Sequence, residues 1–169
     1  MEHQLLEILK KSIRDQFGAS IDMLENVVQT CPDSLWEKEK GFSNLTYHTL
    51  FFLDYYLTLQ PVGFAAPDSF QHSEFEDNPP QEIFPKPEIL NYLQSCKTKL
   101  GNLLSNFTED LAQSRWINES KTMDFSLIEI LLYSLRHVQH HVGQLNRMLR
   151  QSGIEAPDWV YRGKWENKL

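Results

Sequence analysis

Apolar residues recur every three or four positions over four stretches of the chain, the spacing that turns one face of an α-helix towards a core. The first stretch, about Gln4 to Gln29, carries Leu5, Leu6, Leu9, Ile13, Phe17, Ile21, Leu24 and Val28, and ends near Cys31-Pro32-Asp33. A second runs from about Ser43 to Leu59, with Leu45, His48, Phe52, Tyr55, Tyr56 and Leu59 on one face. Pro61 follows as a stop, because proline has no amide hydrogen to continue a helix. The third opens with Lys86-Pro87-Glu88, where proline suits a first turn, and continues through Ile89, Leu90, Leu93, Leu100, Leu103, Leu104 and Phe107 to about Leu111. The fourth starts at Asp124 or Ser126 and reaches about Arg150. There Ser126 and Glu129 have capping-box spacing, Gly153 offers a terminating residue, and Arg147 and Arg150 suit the negative end of the helix dipole.

From Pro61 to Pro87 inclusive the chain holds six prolines, several acidic residues and the aromatics Phe64, Phe70, Phe75 and Phe84. Such a composition blocks regular structure but supplies apolar anchors, which predicts an ordered crossover loop over about residues 61–86. The tail, about residues 154–169, carries Trp159, Tyr161 and Trp165. It is too aromatic for a freely solvated end and is expected to pack on the helices or on a second subunit. No strand pattern competes. The expected fold is all-α, an antiparallel four-helix bundle with a long crossover between its second and third helices, formed by residues 1–169 as a single domain.

Composition agrees and narrows the function. With 169 residues, 41% of them hydrophobic and 23% charged, the chain can bury one substantial core without disulfides. The formal net charge of -7 and the lack of a Lys/Arg cluster argue against nucleic acid as a partner. The opening Met1-Glu2-His3-Gln4-Leu5-Leu6-Glu7 lacks the basic, then apolar, layout of a secretory signal. No stretch approaches the roughly 18 uninterrupted apolar residues of a membrane span, so a cytoplasmic location is expected. Cys31 and Cys96 have no metal or redox spacing and are read as inert thiols. The sequons at Asn44, Asn106 and Asn118 matter only in a secreted chain.

The chemistry concentrates in Tyr133-Ser134-Leu135-Arg136-His137-Val138-Gln139-His140-His141-Val142-Gly143-Gln144-Leu145, which holds half of the six histidines. With His137 at zero on a helical wheel, His141 lies at about 40°, Leu145 at about 80°, Val138 at about 100° and Val142 at about 140°. His137 and His141 therefore border the buried arc, whereas His140, at about 300°, points towards the charged side. Histidines four apart lie close enough to share one ion, and a third ligand has to come from another helix. His48 is the candidate, because Leu45, Phe52, Tyr55 and Leu59 place it on the second helix's buried face. Three neutral imidazoles around zinc or a similar ion leave a fourth position for water, as in catalytic sites. The competing reading makes each histidine an ordinary core or surface residue.

The segments "NLTYHTLFFLDYYL" and "LRHVQHHVGQLNRML" resemble the DinB/YfiT-like superfamily of metal-dependent bacterial proteins over most of the chain. The resemblance implies a four-helix bundle, commonly dimeric, whose three histidines bind nickel, zinc or a related ion. The matching positions here are His48, His137 and His141. Members with assigned activities include transferases that use low-molecular-weight thiols and a thiol-dependent isomerase, so the resemblance implies a possible thiol cofactor without fixing the reaction. The expected function is a metal-dependent enzyme, a thiol-dependent S-transferase or hydrolase acting on a small electrophilic molecule. Tyr55, Tyr133, His140 and Gln144 are the candidates to line its site. The alternatives are a non-catalytic divalent-metal-binding stress-response protein, and a helical interaction module with no metal. Membrane and nucleic-acid partners are not expected; a homodimer is.

Overall fold

The computed structural model describes residues 2–38, 40–76 and 83–165. Among these, six helices and two short strands follow one another: α1 (Glu2–Thr30), α2 (Asp33–Lys38), α3 (Lys40–Leu57), α4 (Lys86–Ser105), α5 (Glu109–Gln113), β1 (Arg115–Ile117), β2 (Asp124–Ser126) and α6 (Leu127–Gln151). The four long helices form the bundle predicted from the apolar spacing. Helix α6 packs on α3 and α1, and α4 packs on the same two. Phe17, Ile21, Leu24 and Val28 of α1 are fully buried, as are Leu50 and Leu53 of α3, Ile89, Leu100 and Leu104 of α4, and Ile130, Val138, Val142, Leu145 and Leu149 of α6.

Side-chain contacts give the direction of each helix. Asp22 of α1 meets Lys97 of α4, and Asp33 beyond the end of α1 meets Lys86 at the start of α4, so these two run in opposite senses. His48 faces His137 and His141 while Tyr56 faces Tyr133, so α3 and α6 also oppose. By contrast Ser43 lies beside Phe84, just ahead of α4, and Asp54 beside Tyr92 and Lys99, so α3 and α4 run parallel. The chain goes up, down, down and up. The long crossover is what this order requires, since an 18-residue helix is about 27 Å long and the chain has to return that distance before α4 begins.

The crossover is ordered over residues 61–76 and 83–85, with turns instead of regular structure, as its prolines dictate. The expectation for residues 77–82 lies outside the described residues. Phe70 and Phe84 are buried, stacked on Tyr47 with ring centroids 5.3 Å and 4.2 Å away. The Tyr47 hydroxyl donates to the His72 carbonyl, and Trp36 of α2 donates its indole N–H to the Phe84 carbonyl at 2.9 Å.

Two local expectations need correcting. The third helix does not reach Leu111: α4 stops at Ser105, and Phe107 turns into the core. Asn106 returns its side-chain amide to the Asn102 carbonyl at 2.8 Å, and Thr108 caps a new helix by accepting from the Leu111 amide. Leu103, Leu104, Phe107 and Leu111 keep helical spacing across that break, which is why periodicity alone runs through it. Nor is the chain free of strands. β1 and β2 pair antiparallel, with Trp116 opposite Phe125. Trp116 is buried and donates its indole N–H to the Thr58 carbonyl at 2.9 Å, at the end of α3. Strands of three residues are too short to show alternation in a sequence.

The start of α6 follows its signals: Ser126 caps it by accepting from the Glu129 amide, and Gly153 follows it with φ of 75°. No described helix is long and apolar enough to cross a membrane. The tail lies on the bundle through residues 163–165, whereas Trp159 and Tyr161 are exposed.

Candidate metal centre

His48 enters the site from α3, and His137 and His141 enter from α6. Because the two helices oppose, the His48 ring falls beside both partners, with centroids 5.4 Å from His137 and 4.9 Å from His141. The potential ligand atoms of the three all lie within 4.8 Å of one another, close enough for the group to hold a metal ion. The ring nitrogens Nε2 of His137 and His141 are 3.0 Å apart. Two nitrogens bound to one ion at about 2.1 Å stand about 3.0 to 3.4 Å apart, so this spacing suits ligation.

The outward nitrogens argue in the same direction. His48 Nδ1 meets Glu74 Oε2 at 2.9 Å, and His141 Nδ1 meets Gln144 Oε1 at 2.7 Å. A carboxylate and an amide oxygen only accept, so each of these Nδ1 atoms carries a proton, which in a neutral ring leaves Nε2 free to bind an ion. Rings held in this tautomer suit a cation within reach of the three. His137 Nδ1 is buried without a hydrogen-bond partner, so that ring has only the inward contact with His141. Burial, and then the neighbouring His141, His48 and His140, pull the pKa of His137 from 6.5 down to about 3. Burial also lowers that of His141, partly opposed by the Gln144 hydrogen bond. Both rings are therefore neutral at pH 7, as metal ligands have to be.

One side of the site is aromatic. Phe52 lies against His48 at 4.9 Å and His137 at 5.7 Å, and Tyr56 lies edge-on to His137 at 5.9 Å. Tyr56 lies edge-on to Tyr133 at 5.2 Å, and burial first, then the neighbouring Tyr133, pushes its pKa upward. Tyr133 thus stands one ring behind Tyr56 and also stacks on Phe125. Tyr55 belongs to a layer farther out, against Phe64, Phe75 and Trp116.

His140 is exposed, its ring 5.0 Å from that of His141. Gln144 bridges them, with Nε2 3.2 Å from His140 Nε2 and Oε1 on His141. Of the four residues proposed to line the site, Gln144 touches a histidine of the cluster directly and His140 flanks one, while Tyr133 and Tyr55 stand behind Tyr56. Sequence reasoning did not name Glu74, whose other oxygen lies 3.6 Å from His72 Nε2, nor did it assign a role to Phe52 or Tyr56. The run Gln71-His72-Ser73-Glu74 in the crossover is its sole trace, and no periodicity places it in space.

Among curated proteins none matches this sequence. The family model of the DinB family matches residues 19–168, a span that includes all three histidines and both helices that present them. This chain belongs to the DinB family.

Proposed function

We propose that the protein is a metal-dependent enzyme, a thiol-dependent S-transferase or hydrolase that acts on a small electrophilic molecule. The observation that carries this reading is the convergence of three imidazoles within 4.8 Å of one another, with no carboxylate in the group among the described residues. An all-nitrogen set of this kind suits nickel or zinc. Three neutral donors leave a divalent ion its full charge and an open position, where it would lower the pKa of a bound thiol or water.

The protein's own groups set the conditions. His48, His137 and His141 would hold the ion, with Glu74 and Gln144 fixing two of the rings from outside. Phe52 and Tyr56 exclude water from one flank, which strengthens electrostatic interactions inside. The Tyr56 phenol, held protonated by burial, serves as a hydrogen-bond donor and not as a base at neutral pH.

Elemental analysis of the purified protein and of His48→Ala, His137→Ala and His141→Ala tests the ligand set, with His140→Ala as control. One bound ion is expected in the wild type and in His140→Ala, and a loss of metal in the other three. Equal metal content in all five proteins would sink the site. Catalysis is then tested by screening low-molecular-weight thiols with electrophilic acceptors at matched metal content. Turnover that persists after chelation would reject the mechanism.

A further inference from the structure

The crossover does more than connect two parallel helices: one of its side chains enters the histidine cluster from outside. Glu74 is largely buried, with 14% of its side chain exposed, although the residue after it, Phe75, is 52% exposed. A tight turn directs it inward, the Glu76 amide donating to the Ser73 carbonyl at 3.1 Å and the Phe75 amide to Ser73 Oγ at 3.3 Å. Its two oxygens divide between two imidazoles, Oε2 at 2.9 Å from His48 Nδ1 and Oε1 at 3.6 Å from His72 Nε2. Glu74 is not one of the three residues whose ligand atoms converge.

We infer that Glu74 is a positioning residue that holds His48 in its metal-binding tautomer and orientation, and so links ion binding to docking of the crossover. This rests on the metal reading above. The His48 ring is part-exposed, with 32% of its side chain accessible, and Phe52 lies tilted against it at 4.9 Å. The carboxylate supplies what packing does not: an acceptor that fixes the proton on Nδ1, stops ring rotation and makes Nε2 a better donor to a cation. Glu74 is itself held in place, because the Tyr47 hydroxyl fastens the backbone at His72, and His72 stands on its second oxygen.

Linkage is reciprocal. If a docked crossover tightens the ion, the ion tightens the crossover by the same factor. The segment that walls the site would therefore be more firmly closed when the ion is bound.

The test measures zinc affinity by chelator competition for the wild type, Glu74→Gln, Glu74→Ala and Tyr47→Phe. It adds the nitrogen chemical shifts of His48 in the metal-free proteins and amide exchange at Phe70 and Glu76 with and without zinc. Expected are a loss of about 10- to 100-fold in affinity for both Glu74 variants, typical of removing such an outer partner. The Nδ1-protonated form of His48 should be lost in Glu74→Ala, and zinc should slow amide exchange in the wild type but not in Glu74→Ala.

Tyr47→Phe loosens the crossover while leaving the carboxylate, so it should lose part of the affinity but clearly less than Glu74→Ala. The inference is overturned if Glu74→Ala binds zinc within twofold of the wild type, if Tyr47→Phe loses as much as Glu74→Ala, or if zinc leaves exchange in the crossover unchanged. A wild type that takes up no zinc or nickel is a different result, and defeats the metal reading itself.

Discussion

The crossover between α3 and α4 and the C-terminal tail look alike as sequence, both irregular, both with prolines and both with aromatic anchors. They are attached to the bundle by different means. The crossover inserts side chains: Phe70 and Phe84 stack on Tyr47, Ser43 Oγ accepts from the Phe84 amide at 3.1 Å, and Glu74 reaches His48. The tail lays its backbone down. Gly163 donates its amide to the Asp15 carbonyl at 2.8 Å, the Lys164 amide donates to the buried Asp22 carboxylate at 2.6 Å, and the Trp165 indole covers Gly18. The partners of the crossover are neighbours of the histidines, whereas those of the tail lie on α1, with Trp165 also against Lys97 and Gly101 of α4. Damage to the first should register in both stability and metal binding, and damage to the second in stability alone.

The largest expected effect is at the end of the crossover. Phe84 is 2% exposed, against Tyr47 and Phe70, and Phe84→Ala should cost about 3 to 5 kcal/mol in urea unfolding. Because Tyr47 also fastens His72, metal affinity should fall with it. A variant that loses this stability but keeps its full affinity would break the proposed difference between the two segments.

That difference could not be read from composition, and the reason is physical. The four helices were legible because a helix repeats its demand for apolar residues every turn, and His137 and His141 were legible because they share that repeat. His140 was set aside by the same wheel, and its ring is indeed exposed. Pairing α3 with α6 was less direct, resting on one histidine amid apolar neighbours and on the family resemblance. Glu74 and the hairpin of β1 and β2 escaped for a common reason. Each is placed by turns a few residues long, and the contact that fixes it, with His48 or with Thr58, is distant in sequence. The break at Asn106 escaped because hydrophobic spacing continues through it while side-chain capping ends the helix.

Alkali should act next, and on the crossover's side. Tyr92 lies under Phe70 and donates to Asp54 at 3.0 Å, and burial above all, then Cys96 and Asp54, raises its pKa above 10. The unfolded chain therefore gives up this proton first. The stabilisation is complete below pH 10 and is lost as pH rises, by up to about 1.4 kcal/mol per pH unit for one proton. Tyr92→Phe should flatten the fall between pH 10 and 11 in urea titrations. An unchanged slope would show that the phenol ionises as easily in the folded protein as in the unfolded one.

The tail offers a smaller effect with a cleaner separation. A Cβ on Gly163 would lie 2.6 Å from the Gly18 backbone, which has no side chain to move aside. Gly163→Ala should therefore lift the strap. Its cost should be about 1 to 2 kcal/mol, at the lower end for overpacking, because release of the tail limits the strain. Metal content should be that of the wild type. A loss of metal here would mean that the tail, too, reports to the site.

The smallest effects fall on two exposed aromatics, one in each segment, and they sharpen the comparison most finely. Phe75 of the crossover is 52% exposed and Trp159 of the tail 68%, so exposure alone would rank them as nearly equivalent. Their surroundings differ. Phe75 lies against Phe51, Phe52, Tyr55 and Phe64, with ring centroids 5.0 to 6.5 Å away, and roofs the aromatic layer that backs His48 and His137. Trp159 has no ring partner among the described residues. Ring pairs of this kind contribute about 0.5 to 1.5 kcal/mol beyond simple burial, so Phe75→Ala should cost about 1 to 2 kcal/mol. Trp159→Ala, like most surface changes, should stay within about 0.5 kcal/mol of the wild type. Equal costs for the two would mean that the crossover's aromatic roof contributes no more than a solvated side chain does. The wall beside the histidines would then have to be attributed to Phe52 and Tyr56 alone.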